Sequence, residues 1–209
     1  MSRALLDRGL SALGLDLPGE ACDRLLAYSA LLLKWNRVYN LTAIRAPEQA
    51  VTHHLLDSLA VLPYLADVRT LADVGSGGGL PGIALAIARP DLLVTSIEAV
   101  SKKASFQQQA RIELGLSNVT VVNERVENVR VDDPYDAVIS RAFSELSEFV
   151  ELTRHLLGPS GRFFAMKGVY PQAEIDRLRG AVRLRGAHRL SVPGLDAERH
   201  LIILTAESN

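Results

Sequence analysis

An α/β fold built on a mostly parallel sheet is what this sequence predicts, on three observations. From Thr70 onward short apolar runs alternate with helical patterns, as parallel strands joined by crossover helices do. Leu71 to Ala88, LADVGSGGGLPGIALAIA, reads as a buried strand, a glycine-rich turn and a buried helix, a nucleotide-binding geometry. The chain of 209 residues is 48% hydrophobic, which supports one sizeable core and argues against disorder.

Residues 1–66 are expected to form an N-terminal helical extension packed on the core, and residues 67–209 the α/β domain. Leu5, Leu6, Leu10 and Leu13 space as one apolar helical face. Leu25, Leu26, Leu31, Leu32 and Leu33 build a second helix that should end near Trp35 and Asn36, before the polar, aromatic stretch Trp35 to Thr42. A third helix starts after Pro47 and carries His53, His54, Asp57 and Ser58. At α-helical spacing His54 and Asp57 share a face, which suits a hydrogen-bonded pair, structural in preference to catalytic. Seven strands follow at about 71–74, 92–98, 118–123, 135–140, 161–166, 187–192 and 200–205. Between them lie helices after Pro81, at 101–114 with Gly115 as its stop, at 146–157 and at 171–183. The last two strands are joined through Pro193 and Gly194, so the final strand enters antiparallel. The expected architecture is a Rossmann-like, seven-stranded, mostly parallel sheet.

The glycine turn carries the first chemical signal. Glycine lets the chain take positive φ and lets a ligand approach the backbone. Gly77, Gly79 and Gly82 spell GxGxxG, the dinucleotide fingerprint, whereas Asp73, Gly75, Gly77 and Gly79 spell DxGxGxG, which resembles the first motif of S-adenosylmethionine (SAM) methyltransferases. In the second register Asp73 is placed to meet the amino group of a bound amino-acid moiety, directly or through water.

Ligands of an open parallel sheet bind outside the carboxyl ends of its strands. The second strand delivers Glu98 there, able to accept hydrogen bonds from both hydroxyls of a ribose. The third delivers Val126 and Glu127, an apolar residue and an acid to flank an adenine. The fourth delivers Ser140, Arg141, Ala142 and Phe143, where a methyl acceptor would lie. Glu98 suits NAD and SAM equally; Asp73 and the antiparallel last strand favour SAM, and no segment resembles a dehydrogenase's substrate domain. Methylation at pyrimidine C5 needs a cysteine nucleophile, and the single cysteine, Cys22, lies in the N-terminal helices. Exocyclic amino methylation usually employs an Asn/Asp-Pro-Pro-aromatic loop, where this chain has Ser-Arg-Ala-Phe. A ring nitrogen with a free lone pair needs neither device, only alignment with the sulfonium methyl.

One cysteine excludes an internal disulfide and a cysteine-based zinc cluster, and no metal is expected. No apolar run approaches the roughly 18 residues of a membrane span. The first residues, with Arg3, Asp7 and Arg8, lack the long apolar stretch of a cleavable signal, so a cytoplasmic location is expected. Net charge is −1, but Ser140 to His200 carries ten Arg and Lys against seven acids. Such a bias can face phosphates, although charge alone favours a solvated helix face.

Taken together, Lys34-Trp35-Asn36, Asn40-Leu41-Thr42, His54-x-x-Asp57-Ser58, Asp73 through Gly82, Ser140-Arg141-Ala142-Phe143, Met166-Lys167-Gly168 and Glu198-Arg199-His200-Leu201 resemble the ribosomal RNA small-subunit methyltransferase G family, also called glucose-inhibited division protein B. The resemblance runs from about Leu25 to Thr205. It implies a class I SAM-dependent methyltransferase fold and N7-methylation of a guanine in the 530 loop of 16S rRNA. It places SAM contacts on Gly75, Leu80, Val126, Glu127 and Arg141, with Glu98 at the ribose. Gly78-Gly79-Leu80 departs slightly from family members, which often have Ala or Pro in the middle and Phe at the end; Glu98 is often Asp. For the target the expected residues are Arg141, Lys167, Arg199 and His200, with Asn36 and Asn40; Arg141 and Lys167 would be catalytic. Phe143 or Trp35 would stack on an extruded base, Trp35 being equally suited to anchor the extension. The expected partner is 16S rRNA, in the small subunit or an assembly intermediate, with no membrane and a monomeric protein. A SAM enzyme acting on a small molecule, and a non-catalytic nucleotide-sensing module, remain alternatives from sequence.

Overall fold

Strands Thr70–Val74 (β1), Leu93–Ile97 (β2), Val119–Val122 (β3), Tyr135–Ser140 (β4), Leu157–Lys167 (β5), Val182–Arg189 (β6) and His200–Ala206 (β7) form one sheet in the computed structural model, which describes residues 2–143, 145–178 and 182–206. Their order is β3-β2-β1-β4-β5-β7-β6. β1 to β5 run parallel, and β7 lies antiparallel to both its neighbours. The chain moves outward from β1 to β3 and then returns to the other side of β1 as β4. This reversal opens a crevice at the carboxyl ends of β1 and β4, where such sheets hold ligands.

The central strands are mostly buried because both faces are covered. Successive side chains alternate between faces. Ile139, Phe164, Met166, Leu201 and Ile203 join one core; Val138, Phe163, Ala165, Ile202 and Leu204 join the other. The first core is covered by α1 (Ser2–Ala12), α2 (Gly19–Tyr39), α5 (Gly82–Ala88) and α6 (Ser101–Glu113), through Leu6, Leu25, Leu32, Ile83 and Phe106. Between α3 (Pro47–Ala50) and α4 (Asp57–Leu59) the helix widens into a π-wound stretch, Val51–Leu56, also buried there. The second core is covered by α7 (Leu146–Thr153), through Phe149 and Val150, with Leu178 just past α8 (Gln172–Arg177). No helix among the described residues is long and apolar enough to cross a membrane.

Several boundaries differ from expectation; the helix expected over 146–157 ends at Thr153, and β5 opens at Leu157, ahead of the expected 161. α2 continues to Tyr39, because Asn40 takes the left-handed conformation (φ 50°) and closes the helix with its N–H on the Asn36 carbonyl. Trp35 therefore sits on a regular helix, its ring against Phe106 at 5.7 Å and Tyr39 at 5.1 Å, anchoring α2 on α6. The helix expected over 171–183 spans only Gln172–Arg177; residues 179–181 lie outside the described ones. β6 covers 182–189 in place of 187–192. As an edge strand paired only with β7, it exposes charged side chains and hides the apolar alternation a strand usually shows. Lastly, Pro81 precedes α5 instead of opening it, and its peptide bond with Leu80 is cis.

Candidate active site

The glycine turn is held from every side. Gly75, Gly77 and Gly79 all have positive φ (66°, 59° and 85°). At Gly75 a Cβ would lie 2.9 Å from the Ala142 Cβ, so glycine lets the segment after β4 pass closely. At Gly77 a Cβ would meet nothing within 4 Å; this residue borders open space. Glu98 ties the turn to β2: Oε2 accepts the Gly77 N–H at 2.7 Å and Oε1 the Val100 N–H at 2.8 Å. From α6 the buried Gln107 donates to the Gly77 carbonyl and the Ser76 hydroxyl, both at 2.8 Å. From α2 the Tyr28 hydroxyl donates to the Gly78 carbonyl. Asp73, fully buried, accepts the Gly82 N–H on Oδ2 at 2.7 Å. Burial pushes its pKa up to about 7, against the opposing pull of that hydrogen bond and of Arg141.

Three cavities adjoin along the strand ends. One of about 290 Å³ is lined by Glu98, Val126, Glu127 and Phe143. A second, about 190 Å³, is lined by Gly77, Leu80, Thr42 and His54. Gly75 and Ala142 border both. A third, about 400 Å³, is lined by Asp57, Lys167 and Arg199, and His54 and Arg141 border both it and the second. Shared lining residues set the three side by side as a trench along the strand ends, from the Glu98 end past the glycines to a basic end.

At the basic end the charges are paired. The buried Asp57 accepts Arg141 Nη1 at 3.0 Å on one oxygen and Arg199 Nε at 2.9 Å on the other. Lys167 Nζ lies 2.7 Å from Glu174 and donates to the Phe143 carbonyl at 3.3 Å. His54 sits at the junction with both ring nitrogens engaged. Nδ1–H donates to the His53 carbonyl at 3.2 Å, which leaves Nε2 to accept the Thr42 hydroxyl at 2.9 Å. Burial, reinforced by the Arg141 charge, lowers the His54 pKa to about 4, so the ring is neutral near pH 7.

Of the expected cofactor residues, Gly75, Gly77, Leu80, Glu98, Val126, Glu127 and Arg141 line the first two cavities. Gly79 does not: its missing Cβ leaves room for Ile83 and Gln107. Asp73 does not either; its carboxylate faces the start of α5, with Oδ1 lacking a partner. Of the expected target residues, Arg141, Lys167 and Arg199 line the third cavity. Phe143 lines the first cavity, beside Glu98 and Val126, instead. Asn36 is buried and clamps the following loop, donating to the Ile44 carbonyl at 3.0 Å and accepting the Thr42 N–H at 2.9 Å. Asn40 is an exposed helix cap outside all three cavities. His200 is buried, donates Nδ1–H to the Gly168 carbonyl at 2.8 Å and holds the Tyr170 ring edge-on. The expected His54–Asp57 pair does not form, because the π-wound turn, with its i→i+5 bonding, removes the α-helical spacing that would align them. Sequence reasoning missed Tyr28, Thr42 and Gln107. Thr42 entered only within the motif Asn40-Leu41-Thr42, and Tyr28 left a trace as a phenol among the leucines of α2, which needs a hydrogen-bond partner once buried.

Among known proteins, the family model described as rRNA small subunit methyltransferase G matches residues 21–202. The chain is 68% identical over 208 residues to the ribosomal RNA small subunit methyltransferase G of Aromatoleum aromaticum, covering 98% of this chain and 99% of that one. It is 62% identical over 196 residues to the protein of the same name from Azoarcus sp., covering 94% and 92%. Among solved structures, a SAM dependent methyltransferase from Aquifex aeolicus superposes with a TM-score of 0.62 at 17% identity, over 84% of this chain and 98% of that one. The O-methyltransferase NcsB1, solved with S-adenosylmethionine, superposes at 0.59 with 20% identity, over 71% and 52%. These likenesses show the fold of SAM-dependent methyltransferases, and with the family match over most of its length the chain belongs to the rRNA small subunit methyltransferase G family.

Proposed function

We propose that this protein methylates small-subunit ribosomal RNA from S-adenosylmethionine, at the ring nitrogen N7 of a guanine in the 530 loop of 16S rRNA. The observation that carries the reading is the trench itself, in which a ligand cradle and a basic cavity meet at His54 and Arg141. The residues present fit the cofactor. Gly77, at positive φ and with open space where a Cβ would stand, offers main chain open to a ligand. Glu98 keeps lone pairs for ribose hydroxyls beside the N–H groups it already accepts. Val126 and Phe143 supply apolar walls for an adenine.

When bound, the cofactor supplies an electrophilic methyl group on sulfur. The protein's part is to orient the acceptor and shield the junction. Guanine N7 carries a free lone pair, so no base is required, and His54, neutral and with both nitrogens engaged, has no proton-transfer task. Arg141 and Arg199 point donors into the cavity beside it, suited to the acceptor edge of a guanine and to neighbouring phosphates. Rate enhancement then comes from alignment and electrostatics.

Mass spectrometry of 16S rRNA nucleosides from cells lacking the protein tests the reading: loss of one 7-methylguanosine is expected. With labelled cofactor and small subunits from those cells, label enters 16S rRNA; label in a low-molecular-weight pool instead would favour a small-molecule acceptor. Arg141→Ala and Lys167→Ala each lower transfer, by about 100-fold if alignment is lost. Normal turnover by both at high salt would remove them from the target site.

A further inference from the structure

Asp57 is the most deeply buried charge of the target cavity, with its side chain 1% exposed, and nothing in the proposed chemistry uses it directly. It opens α4, straight after the π-wound turn. Its two oxygens face two arginines from distant parts of the chain, one following β4 and one preceding β7, 84 and 142 residues away. Each arginine has one further anchor: the His53 carbonyl accepts Arg141 Nη1 at 3.4 Å, and the Glu198 carbonyl accepts Arg199 Nη1 at 2.8 Å. Among the described residues no partner engages Nε and Nη2 of Arg141 or Nη2 of Arg199. Both side chains are about one-quarter exposed, on the cavity side.

A buried ion pair is weak evidence for stability, since desolvation offsets much of the attraction. One acid between two cations does something more specific. It orders two long, flexible side chains before any ligand arrives, and it leaves the cluster one net positive charge. Ordering in advance removes a cost that binding would otherwise carry.

We propose that Asp57 is a positioning residue for methyl transfer, acting through Arg141 and Arg199 to hold the two guanidinium groups so that their remaining N–H groups meet the incoming base. The proposal rests on the reading of the trench as a methyltransferase site. It accounts for burial of a carboxylate at the base of a cavity meant for a polyanion, where an acid would otherwise repel the substrate.

The test compares wild type, Asp57→Asn, Arg199→Gln and the double variant. The measurements are kcat/KM for transfer to undermethylated small subunits, SAM affinity by calorimetry and thermal unfolding. Asp57→Asn is expected to lower kcat/KM about 100-fold, as small misplacements of aligning groups do. SAM affinity should fall far less than kcat/KM, because Arg141 borders the glycine-side cavity and Arg199 does not, and the loss of transfer should exceed what any fall in unfolding temperature explains. The double variant should be hardly worse than its worse parent, because residues acting as a unit are non-additive. Losses that multiply, or that follow SAM affinity or unfolding temperature, would overturn the proposal. Should Asp57→Asn not fold, Asp57→Glu, which keeps the charge but shifts it by one methylene, takes its place with the same expectations. A wild-type protein that transfers no methyl to the subunit overturns the functional reading and the clamp with it; active wild type with multiplying losses overturns the clamp alone.

Discussion

Along Gly75 to Gly78 the trench is lined by main chain, and past Arg141 it is lined by charged side chains. The glycine end is a cradle of N–H and carbonyl groups, stitched down by Glu98, Gln107 and Tyr28. The basic end is an arrangement of long side chains drawn from the segment after β4, from β5 and from the approach to β7, held by two acids, Asp57 and Glu174. The contrast follows the ligands. A small cofactor needs shape and a few fixed dipoles, which rigid backbone supplies. A polyanion needs positive charge that is also oriented, and orientation of arginine has to come from counter-charges.

The largest effect should come from breaking the backbone end. At Gly82 a Cβ would lie 2.7 Å from Asp73 Oδ2 and 3.0 Å from Val94. Gly82→Val must separate α5 from β1, and chemical denaturation is expected to show a loss of about 3 kcal/mol or more. A near-neutral result would mean that the cradle is less rigid than its hydrogen bonds imply. Next, Glu98→Ala removes the acceptor of two backbone N–H groups and a carboxylate from the cavity proposed for the adenosine. Calorimetry should show SAM affinity falling roughly 30-fold, the worth of one charge-assisted hydrogen bond of about 2 kcal/mol. Smaller still, Tyr28→Phe keeps the buried ring but strips the Gly78 carbonyl of its donor. A stability loss of about 1–2 kcal/mol is expected, with transfer reduced only as far as SAM binding is reduced.

The subtlest comparison uses pH, because the two ends carry opposite titrations. Asp73 has its pKa raised to about 7, so in acid the unfolded chain releases this proton while the folded one keeps it. Its contribution to stability therefore falls as pH rises from about 4 to 7. His54 has its pKa lowered to about 4, so below its ordinary value the unfolded chain binds a proton that the folded one refuses. Its contribution rises over roughly the same range. The two slopes oppose each other in wild type. In unfolding measured against pH from about 4 to 6.5, Asp73→Asn should steepen the rise relative to wild type and His54→Gln should flatten or reverse it. Identical profiles for the two variants would remove the distinction.

The same contrast separates what could be read in advance from what could not. Gly75, Gly77, Glu98, Val126 and Arg141 stand at the ends of apolar runs, and period-2 patterns together with the rule for open sheets place them at one crevice. Asn36, Asn40 and His200 are polar residues near that crevice in sequence, yet they cap a helix or brace loops. Phe143 stands two residues from Arg141 but lines the cavity of Glu98 and Val126.

Sequence by itself determined the alternation of strands and helices, the antiparallel last strand, the glycine cradle and the family, because each is written in neighbouring residues through hydrophobic period and backbone freedom. Only the tertiary structure decided what Asp57 holds. A π-wound turn has no local signature that the chain announces, and a carboxylate's choice between a histidine three residues away and arginines 84 and 142 residues away is settled by packing. Burial makes an unpaired charge costly, so Asp57 takes the partners that the folded sheet brings to it.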